Sequence, residues 1–196
     1  MKKLLVVGFF VVCVVVKIFA VTYTTSLMNA ANQGEADAQF KIGQCYYMGR
    51  GVLRSYVEAT KWYRMAAEQG NVDAQNMLRV CYVNGQGVEQ SYTEAARWSL
   101  RAARQGNVQA QYDIGLCYYL GQGVEQSYVD AVRWYRLAAE QGHSEAMCML
   151  GCCYIGGLGV VQSTEMAVRW WCLSAAQGNQ SAKEILRSTM EALKDE

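Results

Sequence analysis

The apolar positions between residues 106 and 141 fall into two helical patterns separated by glycines. Ala110, Ile114, Cys117 and Tyr118 recur at the three- and four-residue steps of an α-helix. Gly121 and Gly123 follow that run. Glycine accepts the positive φ that ends helices and makes tight turns, so the first helix stops there. Ser127 opens a second helix. Its hydroxyl can accept from the free N–H groups of the first turn, and Asp130 stands three residues on. The second helix buries Ala131, Trp134, Ala138 and Ala139, and Gly142 ends it. Small alanines let the paired helices approach closely, and the tryptophan is expected to fill the space between repeats.

This two-helix unit recurs every 36 residues. Gly34, Gly70, Gly106, Gly142 and Gly178 keep the interval, as do Ala38, Ala74, Ala110, Ala146 and Ala182. So do Cys45, Cys81, Cys117 and Cys153, each followed by tyrosine, and Trp62, Trp98, Trp134 and Trp170. A fixed period between about 20 and 50 residues marks a stacked repeat protein. Ser55 with Glu58 and Ser91 with Glu94 make glutamate capping boxes, whereas Ser163 has only Met166 in that place. Four full repeats are expected at 34–69, 70–105, 106–141 and 142–177. Residues 21–33 end in Ala30-Ala31-x-Gln33-Gly34, which matches Ala66-Ala67-x-Gln69-Gly70, the end of a second helix without its first. They read as an N-terminal capping helix. Residues 178–196 begin a fifth first helix, with Ala182 and Leu186 in register. Lys183, Glu184, Arg187, Glu191, Lys194 and Asp195 give it the polar outer face of a terminal cap. With no proline and no low-complexity stretch, the repeats read as one continuous domain.

The chain opens with Lys2-Lys3 and the uncharged run Leu4 to Val16. A basic start and an apolar run make residues 1–20 a signal peptide, with a cleavage site after Ala20, or a signal anchor that lets Lys17 snorkel. A buried first helix is the bland alternative. Lys2 and Lys3 favour keeping the N-terminus inside, so the repeats are expected to be exported, or membrane-associated through residues 1–20. The net charge is +1, and removing residues 1–20 takes three lysines from the 18 basic residues, leaving 15 against 17 acidic ones. No basic patch appears, so nucleic acid is not an expected partner.

The pattern A-x-x-x-[IL]-G-x-x-Y-x-x-G-x-G-V, a polar cap, then A-x-x-W-Y-x-x-A-A-x-x-G resembles the Sel-one-like repeat (SLR) family, a branch of the tetratricopeptide superfamily. The match covers residues 30–188. The resemblance implies an all-α, right-handed α-solenoid of antiparallel helix pairs, acting as a non-enzymatic scaffold that binds a protein or peptide segment without a cofactor. Relatives include exported bacterial proteins that act in host interaction and adaptors of membrane-protein quality control. Ser55, Ser91, Ser127 and Ser163 stand where the family usually has aspartate, which preserves the cap. Arg79 replaces the small glycine of Gly43, Gly115 and Gly151, so the second repeat is expected to be the weak point.

Eight cysteines invite chemistry. A cysteine-rich branch of the family, known from Helicobacter, staples its helix pairs with disulfides, but the corresponding positions here are alanines such as Ala110 and Ala139. Cys45, Cys81, Cys117 and Cys153 share one place per repeat, and stacked repeats lie about 10 Å apart. That exceeds the roughly 7 Å reach of a disulfide. They are expected to be buried, reduced thiols. Cys148, Cys152, Cys153 and Cys172 cluster in the fourth repeat, where a metal or redox site competes with plain buried thiols. Zinc needs three or four assembled ligands, and His143, the one histidine, lies at a repeat boundary, so no metal site is assigned. No catalytic residue is assigned either. A β-lactamase activity has been ascribed to some cysteine-rich relatives, and no nucleophile motif for it stands here.

At about 100° per residue, the side of each first helix opposite the Ala–Ile–Cys–Tyr face carries a second stripe. Its members are Phe40, Gln44 and Tyr47; Asn76, Val80 and Val83; Tyr112, Leu116 and Tyr119; Cys148, Cys152 and Ile155. In a tetratricopeptide-like solenoid this side lines the concave groove. The stripe has no charge, whereas a solvated face is mostly charged. It reads as a partner-binding groove, with burial between repeats as the alternative. Tyr112 and Tyr119 are the expected anchors, and Ile114, Cys117, Tyr118 and Trp134 are expected to hold the core without them.

Overall fold

The computed structural model describes residues 25–192. Residues 1–20, with the expected signal or anchor, and the extreme C-terminus lie outside the described residues. The chain divides into two compact units, one ending at Gln90 and the other beginning at Ser91. The first holds α1 (residues 25–32), α2 (Ala36–Met48), α3 (Tyr56–Glu68) and α4 (Val72–Asn84). The second holds α5 (Tyr92–Arg104), α6 (Val108–Leu120), α7 (Tyr128–Glu140), α8 (Ser144–Gly156), α9 (Thr164–Ala176) and α10 (Gln180–Ala192). No strand occurs among the described residues. Consecutive helices pack as antiparallel pairs within each unit, and the fold class is an all-α solenoid.

The helix ends follow from local chemistry. Gly121 takes φ 69°, and its N–H donates to the Cys117 carbonyl, closing α6. Two residues on, Gly123 passes so close to the Tyr92 carbonyl that any Cβ would overlap it. That glycine therefore locks the turn after α6 onto the start of α5. Ser127 accepts from the Asp130 N–H at 3.2 Å and donates to the Asp130 carboxylate at 2.7 Å. Ser163 caps α9 through the Met166 N–H at 3.2 Å without an acidic partner. The first helices are capped too, by residues the periodicity does not single out. Asn71 and Asn107 accept from the Ala74 and Ala110 N–H groups at 2.8 Å, and Asn179 from Ala182 at 2.9 Å. His143 does the same for Ala146 through Nδ1 at 3.3 Å.

The alanine columns are buried as expected: Ala38, Ala74, Ala110, Ala146 and Ala182, with Ala66, Ala67, Ala102, Ala103, Ala138 and Ala139 facing them. The aromatic core differs from expectation. Trp98 is buried, but Trp62, Trp134 and Trp170 are only half-buried. The deepest rings belong to the next residue along: Tyr63 and Tyr135 are fully buried and Trp171 nearly so. A second helix meets its own first helix on one side and the following repeat on another, and the position after the tryptophan faces the closer neighbour. The cysteine column also splits. Cys81 and Cys153 are buried, whereas Cys45 and Cys117 are half-buried. None of the seven described cysteines is in a disulfide.

Polar groups are buried as well, in one repeating arrangement. The side-chain amides of Gln39, Gln75 and Gln111 donate to the Ala31, Ala67 and Ala103 carbonyls, eight residues back, at 3.2, 3.1 and 3.3 Å. Each adds a second donor to a carbonyl at the end of the preceding helix that already accepts a backbone N–H, from Gly34, Gly70 and Gly106 respectively. Gln39 and Gln111 in turn accept from Gln69 and Gln141 at 2.7 and 2.8 Å.

Candidate partner-binding site

In the second unit, α6 contributes Tyr112, Leu116 and Tyr119 to the uncharged stripe, and α8 contributes Cys148, Cys152 and Ile155. Tyr112, Leu116, Tyr119 and Cys152 are half-buried, Cys148 is buried, and Ile155 is exposed. Tyr135 of α7 lies beneath the stripe. Its ring centre is 5.9 Å from that of Tyr112 and 6.5 Å from that of Tyr119. Gly115 admits it, because a Cβ there would stand 2.7 Å from the Tyr135 ring. Tyr112 also stacks on His143 at 4.8 Å, and Tyr119 meets Tyr128 edge-on at 5.3 Å. Because Nδ1 of His143 accepts the cap bond, its proton sits on Nε2, 3.1 Å from the Gln109 side-chain oxygen. The one histidine is thus engaged at both nitrogens as a helix cap.

The first unit repeats the design. Phe40, Gln44 and Tyr47 on α2 and Asn76, Val80 and Val83 on α4 are all half-buried. Phe40 and Tyr47 lie 5.8 and 6.3 Å from the buried Tyr63, and Tyr47 lies 5.0 Å from Tyr56. The Tyr47 hydroxyl donates to the Gln86 side-chain oxygen at 2.8 Å.

The stripe therefore has two sides. Its aromatic members rest on the buried ring of the second helix while keeping a partly open edge. This corrects the expectation that the core stands without Tyr112 and Tyr119: both touch Tyr135, so removing them also costs the helix pair. Burial raises the hydroxyl pKa of Tyr112 and Tyr119, with Glu145 next in effect on Tyr112 and Cys153 on Tyr119. The phenols stay neutral at physiological pH. An arrangement of neutral rings, aliphatics and thiols favours apolar contact over charge recognition. Among the described residues, no group of three or more His, Cys, Asp or Glu is gathered as metal ligands, and no helix is long and apolar enough to cross a membrane.

A Sel1 repeat family model matches residues 36–71, 72–107, 108–143 and 144–179. The chain belongs to the Sel1 repeat family. Solved structures agree. A protective antigen of uropathogenic Escherichia coli with an SLR fold superposes with TM-score 0.76 at 38% identity, over 81% of this chain and 34% of that one. A Sel1 repeat protein from Oxalobacter formigenes gives TM-score 0.71 at 39% identity, over 83% and 65% of the two chains. This chain thus spans about a third of the first relative and just under two thirds of the second. Cysteine-rich protein B of Helicobacter pylori shares the fold, with TM-score 0.52 at 18% identity over 64% of this chain and 96% of that one. None of the curated proteins matches. The chain is a scaffold of Sel1 repeats, modules that typically mediate protein–protein interaction.

In the second repeat two columns change together: Arg79 stands for the glycine and Ser99 for the buried aromatic. Elsewhere those columns touch, as Gly43 with Tyr63, Gly115 with Tyr135 and Gly151 with Trp171. Arg79 belongs to the first unit and Ser99 to the second, so the second repeat carries neither the small residue nor the ring. The sequence held that signal twenty residues downstream of Arg79.

Proposed function

We propose that this Sel1 repeat protein is an exported, non-enzymatic scaffold that holds a peptide segment of a partner protein on the uncharged stripe that the first helices carry within each unit. The observation that carries the reading is the repetition of that stripe. In both units, half-buried aromatic and aliphatic side chains occupy the same helix positions without one charge among them. Apolar surface held open in this way loses free energy to water unless a partner covers it. Rigid aromatics fixed by packing give up little rotamer freedom on binding. The second reading is a membrane-anchored adaptor, and the apolar run at residues 4–16 favours it.

Ile155 and Leu116 are the residues to test, because neither belongs to the clamp of rings around Tyr135. Residues 21–196 serve as bait, with Leu116→Glu and Ile155→Glu variants beside them. One dominant partner should be captured by the parent and lost by both variants, with helicity unchanged. Equal capture by parent and variants refutes the stripe. Sequencing the N-terminus of the cell-derived protein separates the two readings: a start after Ala20 supports export, and a membrane-bound product retaining Met1 supports the anchor.

A further inference from the structure

The fourth repeat departs from the third at three neighbouring positions. Where the third has Tyr112, Leu116 and Tyr135, the fourth has Cys148, Cys152 and Trp171. The Trp171 indole lies over Gly151, so close that a Cβ there would overlap the ring nitrogen. Its N–H donates to the Cys148 carbonyl at 3.2 Å and also reaches the Cys152 sulfur. Cys148 and Cys152 stand one turn apart on α8 and hydrogen-bond to each other. Cys148 is only 8% exposed, packed with Ala167 and Ala182, whereas Cys152 is half-buried and open to small molecules.

The two thiols are consequently unequal. The Cys148 S–H donates to a thiolate at Cys152 and holds the Cys152 pKa below the ordinary thiol range, against the opposing effect of burial and with help from the Trp171 N–H. Cys148 is pushed up, first by that same bond, then by burial and by the charge at Cys152.

We propose that Cys152 is an oxidation site for small hydroperoxides, with Cys148 as the residue that positions and protonates. The Cys152 thiolate attacks the distal peroxide oxygen. An S–O bond forms, the O–O bond breaks, and its electron pair leaves with the alkoxide, or with hydroxide from hydrogen peroxide. That oxyanion takes the Cys148 proton, which water restores. The sulfur is oxidised by two electrons to a sulfenic acid, and the peroxide is reduced to an alcohol or water. Helix geometry sets Cβ atoms four residues apart at about 6 Å, beyond the roughly 4 Å of a disulfide. The product therefore stays a sulfenic acid while α8 remains helical. This proposal does not depend on the stripe binding a partner.

The test treats the full chain with hydrogen peroxide, traps sulfenic acid with dimedone and maps the adducts by mass spectrometry. Cys172, the exposed cysteine of α9, is the internal reference. Adduct should form on Cys152 several-fold faster than on Cys172, and Cys148→Ala should slow it several-fold with helicity retained. Faster modification of Cys172, or an unchanged rate in Cys148→Ala, overturns the proposal. Should that variant fail to fold, the parent decides. Iodoacetamide alkylation of Cys152 should already be near its plateau at pH 7.5, and a rate still climbing through about pH 8.5, as for an ordinary thiol, overturns it.

Discussion

Replacing Tyr135 with phenylalanine should leave the protein as stable or make it more stable. The side chain is fully buried, and its hydroxyl has no hydrogen-bond partner. Burying an unpaired hydroxyl costs about 1–3 kcal/mol. Deleting it returns that cost, less about 0.3 kcal/mol for the small void at about 24 cal/mol per Å³. The ring contacts with Tyr112 and Tyr119 remain. The expected net change is about 0.7–2.7 kcal/mol of stabilisation, a rise of roughly 1–11 °C in Tm for a chain of this size. Tyr63→Phe should behave alike, because the Tyr63 hydroxyl is buried and unpartnered too. Trp171→Phe is the control with the opposite sign. Its N–H has an acceptor in the Cys148 carbonyl, so removing it should destabilise by about 1–3 kcal/mol. Thermal unfolding followed by far-ultraviolet circular dichroism measures all three. A fall of several degrees in both tyrosine variants would refute the reasoning, since it would mean that the hydroxyls are satisfied.

Gly115→Ala should destabilise by about 1–3 kcal/mol, because its Cβ would meet the Tyr135 ring at 2.7 Å and the Ala131 carbonyl at 3.4 Å; a neutral result in chemical denaturation would show that α6 and α7 separate easily. Burial pushes the thiol pKa of Cys81 up to about 11 and of Cys153 up to about 12, so both should resist labelling at pH 8 in the native state and label fully in denaturant. Burial likewise raises the Tyr63 and Tyr135 pKa values above the unfolded value near 10. The unfolded chain then releases those protons first. Their contribution is complete below about pH 10 and is lost as pH rises further, so denaturant midpoints should fall across pH 10–12.

The helix pairs were legible because each repeat writes its own punctuation. Ser127 with Asp130 starts a helix, Gly121 stops one, and the interval checks every assignment three more times. What escaped was chiefly depth. Trp134 and Tyr135 are adjacent, and a helix turns only about 100° between them. Both point inward, and which is buried deeper depends on the distance to a neighbouring helix, which no single-helix pattern encodes. The asparagine caps escaped for a different reason: Asn71, Asn107 and Asn179 each follow a column glycine, and the turn ending one helix hid the cap beginning the next. The α6 stripe was legible as one uncharged helix face, but its contact with Tyr135 needed the third dimension.

The buried glutamines bear on how such a chain can change length. Gln111 reaches back eight residues to Ala103 and accepts from Gln141, thirty residues ahead. Inserting or deleting part of a repeat would shift one end of these bonds off its partner and strand an amide away from water, at about 1–3 kcal/mol for each group. Copying or excising 36 residues at once leaves every reach intact. Growth and shrinkage by whole duplications is therefore the inexpensive route, and the recurring amides act as a reading frame that filters out every other change of length.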